Sequence, residues 1–141
     1  MIFWDTSALL KCYNSLETNH ARALNLLSRE KGHQGCVLLK LETMSGLVRK
    51  TGSNRALRDS LVKQAEDHLA DFDLLPIDPV LLDLAGRLVI KHALRAADAL
   101  HLATAVSVAR ILGRRKFHFA TADVEQADAA AAEQLKTIRL A

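Results

Sequence analysis

Two kinds of segment alternate along the chain: short apolar runs, and longer stretches in which apolar residues recur every three or four positions. The short runs are too brief for helices, and their bulky apolar residues favour buried strands. Strands are expected over residues 1–5, 35–39, 72–77, 116–120 and 137–140. The longer stretches predict amphipathic helices. Helices are expected over residues 14–32, 41–52, 54–69, 78–89, 96–112 and 124–133.

This order of elements predicts an α/β protein. Strands that alternate with helices form a parallel sheet through right-handed crossovers, and the helices cover both faces of the sheet. In open sheets of this kind, ligands bind outside the carboxyl ends of the strands. Polar residues that directly follow a predicted strand are therefore the first candidates for a functional site.

The composition narrows the class of protein. A chain of 141 residues with 50% hydrophobic residues and a formal net charge of +3 predicts one compact soluble domain and excludes a disordered chain. No apolar run reaches a membrane-spanning length, and the first residues lack a signal-peptide pattern, so we expect a cytoplasmic protein without a membrane partner. The two cysteines, Cys12 and Cys36, are too few for a disulfide framework and are expected as buried or half-buried thiols.

Four carboxylates stand out when the acidic residues are sorted by position. Asp5 ends the first predicted strand, Glu42 begins the helix after the second, and Asp123 follows the strand that ends at Ala120. Asp98 lies in the first turn of its helix and shares a face with apolar residues. Acids that converge on one sheet edge repel one another unless a cation lies among them, and ligands that are all oxygen select hard cations such as Mg²⁺ or Mn²⁺.

Each acid also has a simpler explanation. Asp5 and Asp123 are suited to begin a helix or a turn, and Glu42 and Asp98 lie where the helix dipole favours a negative charge. For any single acid the simpler explanation is the commoner one. It is not favoured for all four together, because four independent helix caps need not all fall on one sheet edge. Asp78 also follows a predicted strand, but we assign it to capping alone, because the Asp78-Pro79 pair is fully explained as a helix start.

Four short motifs resemble those of the PIN domain family. The matching segments are FWDTSALLK at 3–11, LKLE at 39–42 with LVR at 47–49, LRAADALHLATA at 94–105, and FATAD at 119–123. Each motif is short, but all four occur in order and cover nearly the whole chain. In size and motif order the sequence is most similar to the VapC-type toxin ribonucleases.

The resemblance implies a single PIN domain over residues 1–141, a three-layer α/β/α sandwich with a central parallel sheet of four to five strands. It implies a metal-dependent endoribonuclease that holds Mg²⁺ or Mn²⁺ on Asp5, Glu42, Asp98 and Asp123. Hydroxyl groups of the family match Thr6, Ser7 and Thr121, which are suited to orient the carboxylates. The resemblance also implies a small antitoxin partner of the VapB type and a homodimer.

Basic residues near the acidic edge are candidates for contact with RNA phosphates. These candidates are Lys11, Arg49, Arg95, Arg114, Arg115 and Lys116. His101 lies one helical turn after Asp98, and we expect it to pack or hydrogen-bond beneath the site rather than act as a general base.

Two other functions fit the sequence poorly. A phosphatase of the haloacid-dehalogenase type needs a second acid two residues after the first, where this chain has Ser7, and a receiver domain needs an acid pair at the first strand end. Within the PIN family the alternatives are a catalytically inert protein that binds RNA or an antitoxin, and a nuclease that is not a toxin. An apolar stripe of Leu24, Leu27, Leu57 and Leu61 supports the expectation of a dimer.

Overall fold

A computed structural model describes residues 1–141 and contains one parallel sheet of five strands. The strands lie side by side in the order β3-β2-β1-β4-β5, and every neighbouring pair is parallel. Their bounds are β1 Ile2–Trp4, β2 His33–Cys36, β3 Phe72–Leu75, β4 His118–Thr121 and β5 Lys136–Arg139. The α/β prediction is confirmed, with five strands in the sheet.

Seven α-helices connect these strands. Their bounds are α1 Thr6–Leu10, α2 His20–Arg29, α3 Leu38–Thr51, α4 Arg55–Leu69, α5 Pro79–His92, α6 Ala96–Leu112 and α7 Val124–Ala132. Two short 3₁₀-helices, Lys11–Tyr13 and Arg114–Lys116, join α1 to the segment before α2 and α6 to β4. No helix has both the length and the apolar character needed to cross a bilayer.

The sheet separates two hydrophobic cores. Phe3 points to one face of β1, where it packs with Phe119 and with buried residues of α5, α6 and α7. Ile2 and Trp4 point to the other face and pack with buried residues of α1 to α4. Because successive side chains of a strand point in opposite directions, a fully buried β1 supplies both cores. The result is the expected three-layer arrangement.

The predicted helix over residues 14–32 is wrong at its start. The chain instead forms α1 and a 3₁₀ turn directly after β1, and α2 begins only at His20. The side chain of Asn14 accepts a hydrogen bond from the backbone N–H of Leu16 (3.1 Å), so it shapes a local turn instead of beginning the helix. Asn19 precedes α2 with a φ of 66°, a left-handed conformation that Asn tolerates.

Strand boundaries also differ from the prediction by up to three residues, and the second and third strands show the physical reason. The second strand begins at His33 and ends at Cys36, because Val37 already has helical backbone angles and leads into α3. The third strand ends at Leu75, directly before Pro76, a residue that lacks the N–H needed for strand pairing. The helix starts at Asn54 and Asp78 are confirmed, since each side chain accepts a hydrogen bond from the backbone N–H three residues later.

Both cysteines are buried free thiols, as the sequence predicts. Burial raises the pKa of the Cys12 thiol to about 12, so this thiol stays protonated at neutral pH.

Candidate active site

The carboxyl ends of the two central strands form the base of the candidate site. Strand β1 pairs with β4 in a register that places Trp4 beside Ala120, and the N–H of Asp5 donates to the carbonyl oxygen of Ala120 at 3.1 Å. Asp5 leads from β1 into α1, and Asp123 leads from β4 into α7. The parallel pairing therefore brings two distant segments of the sequence to one edge of the sheet.

The carboxylate of Asp5 is buried and accepts hydrogen bonds from three different residues. The backbone N–H of Ala8 donates to Oδ1 at 2.8 Å, and the hydroxyl of Thr121 donates to Oδ2 at 2.6 Å. Ser7 Oγ lies 2.8 and 2.9 Å from the two carboxylate oxygens. Burial nevertheless raises the pKa of Asp5 from 3.8 to about 6, and the hydrogen bonds only partly oppose this effect. Asp5 therefore caps α1 and also presents a carboxylate at the sheet edge.

Two hydroxyl side chains tie the strand ends together around Asp5. Ser7 Oγ accepts a hydrogen bond from the backbone N–H of Ala122 at 2.9 Å. Thr121 Oγ1 accepts one from the backbone N–H of Asp123 at 3.0 Å. Both hydroxyls thus hold the carboxylate of Asp5 and the backbone that leads to Asp123, which is the geometry needed to orient these acids.

Glu42 reaches the site from α3 and contacts a buried histidine. His101 is 1% exposed, and its Nε2 forms a short hydrogen bond with Oε1 of Glu42. The hydroxyl of Thr6 donates to the same carboxylate oxygen at 3.0 Å. The hydrogen bond with His101 is the main reason that the pKa of Glu42 is lowered. The structure thus places His101 beneath the site, bonded to one of its acids, as the sequence predicts.

Asp98 and Asp123 are half-buried and close enough to influence each other. Burial is the largest cause of a raised pKa at Asp98. The negative charge of Asp123 raises this pKa further, and the charge of Glu42 raises it by a smaller amount. Asp123 accepts a hydrogen bond from the backbone N–H of Gln126 at 2.9 Å and so caps α7. The simple capping explanation is therefore correct for Asp5 and Asp123, but it does not account for the proximity of Asp123 to Asp98.

Gln126 is a polar residue of the site that the sequence analysis did not identify. It is fully buried, and its Nε2 donates to the backbone carbonyl oxygen of Asp98 at 3.1 Å. Its Oε1 lies 3.4 Å from the hydroxyl oxygen of Thr121, whose single proton is donated to Asp5. Gln126 thereby connects the first turn of α6 to the hydroxyl that holds Asp5. The sequence offered one weak signal for Gln126: a polar residue on the face of an alanine-rich helix that is otherwise apolar.

The donor chemistry of these acids suits a hard divalent cation. All four side chains offer carboxylate oxygens, and none of them forms an ion pair with a lysine or arginine. The like charges that raise the pKa of Asp98 are the repulsion that a bound cation relieves. In the side-chain arrangement described here, no three acidic, histidine or cysteine side chains are positioned to hold an ion together.

The candidate RNA-binding residues fall into three groups. Arg49 and Arg95 lie near the site, where their charges lower the pKa values of Glu42 and Asp98 respectively. Lys11 is held in an ion pair with Glu17 at 2.6 Å. The segment Arg114–Lys116 precedes β4, so it lies at the amino-terminal edge of the parallel sheet, opposite the acids. The expectation that Arg114, Arg115 and Lys116 border the acidic edge is therefore wrong.

Comparisons with known proteins identify relatives along most of the chain. The PIN domain family model matches residues 2–132. Ribonuclease VapC46 of Mycobacterium tuberculosis is 35% identical over 114 residues, which are 80% of this chain and 80% of that protein.

Solved structures share the fold at lower sequence identity. The structure of FitAcB from Neisseria gonorrhoeae superposes with a TM-score of 0.71 at 18% identity, covering 99% of this chain and 97% of that one. VapBC-5 of Mycobacterium tuberculosis, a member of the VapBC family of toxin-antitoxin systems, gives a TM-score of 0.60 at 22% identity and covers 97% and 96%. These likenesses agree with the three-layer fold.

Proposed function

The chain belongs to the PIN domain family, and from this premise we propose that residues 1–141 form a single metal-dependent endoribonuclease domain, the toxin of a type II toxin–antitoxin pair. One observation carries the proposal: four carboxylates approach one edge of the sheet, and no lysine or arginine is paired with them. A cluster of this kind is costly for folding unless a cation compensates its charge. The similarity to a ribonuclease supports RNA as the substrate, and cellular RNA implies a cytoplasmic location.

We assign the metal to the four acids and the positioning of the acids to their hydrogen-bond partners. Asp5, Glu42, Asp98 and Asp123 would hold Mg²⁺ or Mn²⁺, and a bound cation supplies an activated water and stabilises charge at the phosphodiester. Ser7 and Thr121 orient Asp5, while Thr6 and His101 orient Glu42. Arg49 and Arg95 bring positive charge beside the acids, where a backbone phosphate has to approach. Hydrolysis of this type needs no protein nucleophile.

An antitoxin and a second copy of the chain are the proposed protein partners. The solved toxin–antitoxin system of similar fold supports the antitoxin. For the dimer, Leu24 and Leu57 are 37% and 46% exposed, whereas Leu27 and Leu61 pack partly against the core. Half of the apolar stripe is thus available to a partner. A monomer by light scattering at micromolar concentration would contradict the dimer.

Cleavage of total cellular RNA by the purified protein tests the proposal. We expect cleavage with Mn²⁺ or Mg²⁺, none with a chelator, and a loss of about 100-fold or more in Asp98→Asn. Asp83→Asn is the matched control, since Asp83 is exposed on α5 and forms no ion pair. Equal cleavage by all three proteins would contradict the assignment of the acids. RNA binding without cleavage under every metal condition would favour the inert alternative.

Growth of cells that express the protein separates a toxin from a nuclease of another role. We expect arrest by the wild type, no arrest by Asp98→Asn, and relief by a small protein encoded beside it. Unimpaired growth with active ribonuclease would favour the nuclease that is not a toxin.

A further inference from the structure

Six basic side chains gather far from the acidic site. They are Arg87 on α5, Arg110 on α6, Arg114, Arg115 and Lys116 in the second 3₁₀-helix, and Lys136 at the start of β5. We call these six residues the distal basic surface. They include the run that was expected at the acidic edge, and the proposed function gives none of them a role.

The distal basic surface is continuous. Arg87 and Arg110 line one cavity of about 220 Å³ together with Glu133. Arg114 reaches the rim of this cavity, since its Nη2 donates to the backbone carbonyl oxygen of Glu133 at 3.5 Å. Lys136 extends the surface on the other side, because its Nζ donates to the backbone carbonyl oxygen of Arg115 at 3.3 Å.

The positive charges of this surface are not used by the fold. None of the six side chains forms an ion pair. Glu133, the acid that lines the cavity, is already bonded to Lys91 and His92, each at 2.7 Å. Nε of Arg114 is buried and has no hydrogen-bond partner. A buried Nε is out of reach of RNA, so the donors of Arg114 that remain for an anion are on its Nη atoms, of which Nη2 makes one long hydrogen bond.

Helix α6 links this surface to the acidic site. It carries Asp98 in its first turn and Arg110 in its last, and their separation of twelve positions corresponds to about 18 Å along the helix axis. An anion that contacts both ends must therefore extend well beyond one phosphate. A nucleic acid does so, because its phosphates repeat every few ångströms along the strand.

We propose that the distal basic surface binds backbone phosphates of RNA away from the cleavage site, so that the protein favours long or structured RNA over short oligonucleotides. This inference rests on the proposed function, which supplies RNA as the polyanion. Aromatic residues form only 4% of the chain, which leaves little surface for base stacking and makes backbone contacts the main source of affinity. The contacts carry no sequence preference of their own.

The test uses the full chain and two double variants. R115Q/K116Q removes two charges from the distal basic surface, and R55Q/K63Q removes two charges from exposed positions of α4. Fluorescence anisotropy with a labelled RNA hairpin, in chelator and over a range of salt, measures affinity and its salt dependence. Thermal unfolding verifies that both variants fold. With Mn²⁺, initial rates on the hairpin and on a trinucleotide give kcat and KM separately.

The expected result is specific to the first variant. R115Q/K116Q should bind the hairpin about tenfold or more weakly, with a salt slope smaller by roughly 1.4 to 1.8 for two lost phosphate contacts. Its KM should rise for the hairpin and not for the trinucleotide, with kcat unchanged, while R55Q/K63Q should behave as the wild type. If R115Q/K116Q binds the hairpin with unchanged affinity and salt slope, the inference is overturned, and an acidic protein becomes the candidate partner of this surface. If the wild type cleaves nothing, the proposed function fails, and the binding results alone decide the inference.

Discussion

At the scale of single residues, the carboxylate of Asp5 both caps α1 and lies buried at the sheet edge. It accepts hydrogen bonds from the backbone of α1 and from two hydroxyls, yet its burial raises its pKa to about 6. The folded protein without a metal therefore binds a proton more tightly at Asp5 than the unfolded chain does, where the ordinary value is 3.8. A charged Asp5 opposes folding until a cation compensates it.

This shift predicts a pH dependence of stability. Asp5 contributes fully to stability below pH 3.8, and its contribution is lost as the pH rises to about 6. The loss amounts to about 3 kcal/mol, since one pKa unit corresponds to about 1.4 kcal/mol. Urea unfolding of the metal-free protein at pH 4 and pH 7 measures it, and Asp5→Asn should lack this part of the pH dependence. The same pH dependence in both proteins would contradict the assignment to Asp5.

Gln126 yields a second prediction at this scale. Gln126→Leu removes the donor to the Asp98 carbonyl and the amide oxygen beside the Thr121 hydroxyl. We expect Mn²⁺ affinity to fall by roughly 10- to 100-fold, the range typical of groups that orient metal ligands. Calorimetric titration with Mn²⁺ measures this affinity, and KM for RNA should stay unchanged. Wild-type Mn²⁺ affinity in a folded variant would show that Gln126 only fills space.

The sequence predicts the candidate acids and hydroxyls better than it predicts Gln126. Asp5 and Asp123 follow strands, so the parallel-sheet rule alone directs attention to them. The role of Gln126 depends on a contact with Asp98, a residue 28 positions earlier on another helix. Local patterns do not encode such a contact, and an isolated glutamine on an alanine-rich helix has no distinguishing spacing.

At the scale of elements, helix starts with a capping acid are well predicted. The Asp78-Pro79 pair begins α5 where expected, and Oδ1 of Asp78 accepts from the N–H of Leu81 at 2.8 Å. The start of α2 is not predicted, because Asn14 has the same capping chemistry but stabilises a turn instead. A capping residue favours both structures, and contacts made elsewhere in the fold select between them.

The cap of α5 provides a prediction that separates structure from function. Asp78→Ala should lower the free energy of unfolding by about 1 kcal/mol, the usual cost of a lost cap. RNA cleavage at a temperature where the variant remains folded should be unchanged, because Asp78 is assigned to capping alone. Loss of cleavage in the folded variant would mean that this acid also belongs to the site.

At the scale of the whole molecule, the acidic and basic side chains are separated in space, although the net charge is only +3. Four acids approach the carboxyl ends of the strands, while the six residues of the distal basic surface include the run before β4, at the opposite edge of the sheet. The sequence identifies the basic run but not its position relative to the acids. That position follows from the length of α6, which carries the chain from Asp98 to the other side of the molecule.

The acidic edge is proposed to hold a divalent cation, and a Mn²⁺ titration followed by electron paramagnetic resonance measures this binding. We predict that the wild type binds Mn²⁺ and that Mg²⁺ competes for the same site. Asp98→Asn should bind Mn²⁺ at least tenfold more weakly, whereas the exposed-acid variant Asp83→Asn should bind as the wild type does. Equal Mn²⁺ affinity of Asp98→Asn and the wild type would contradict a metal site at the acidic edge.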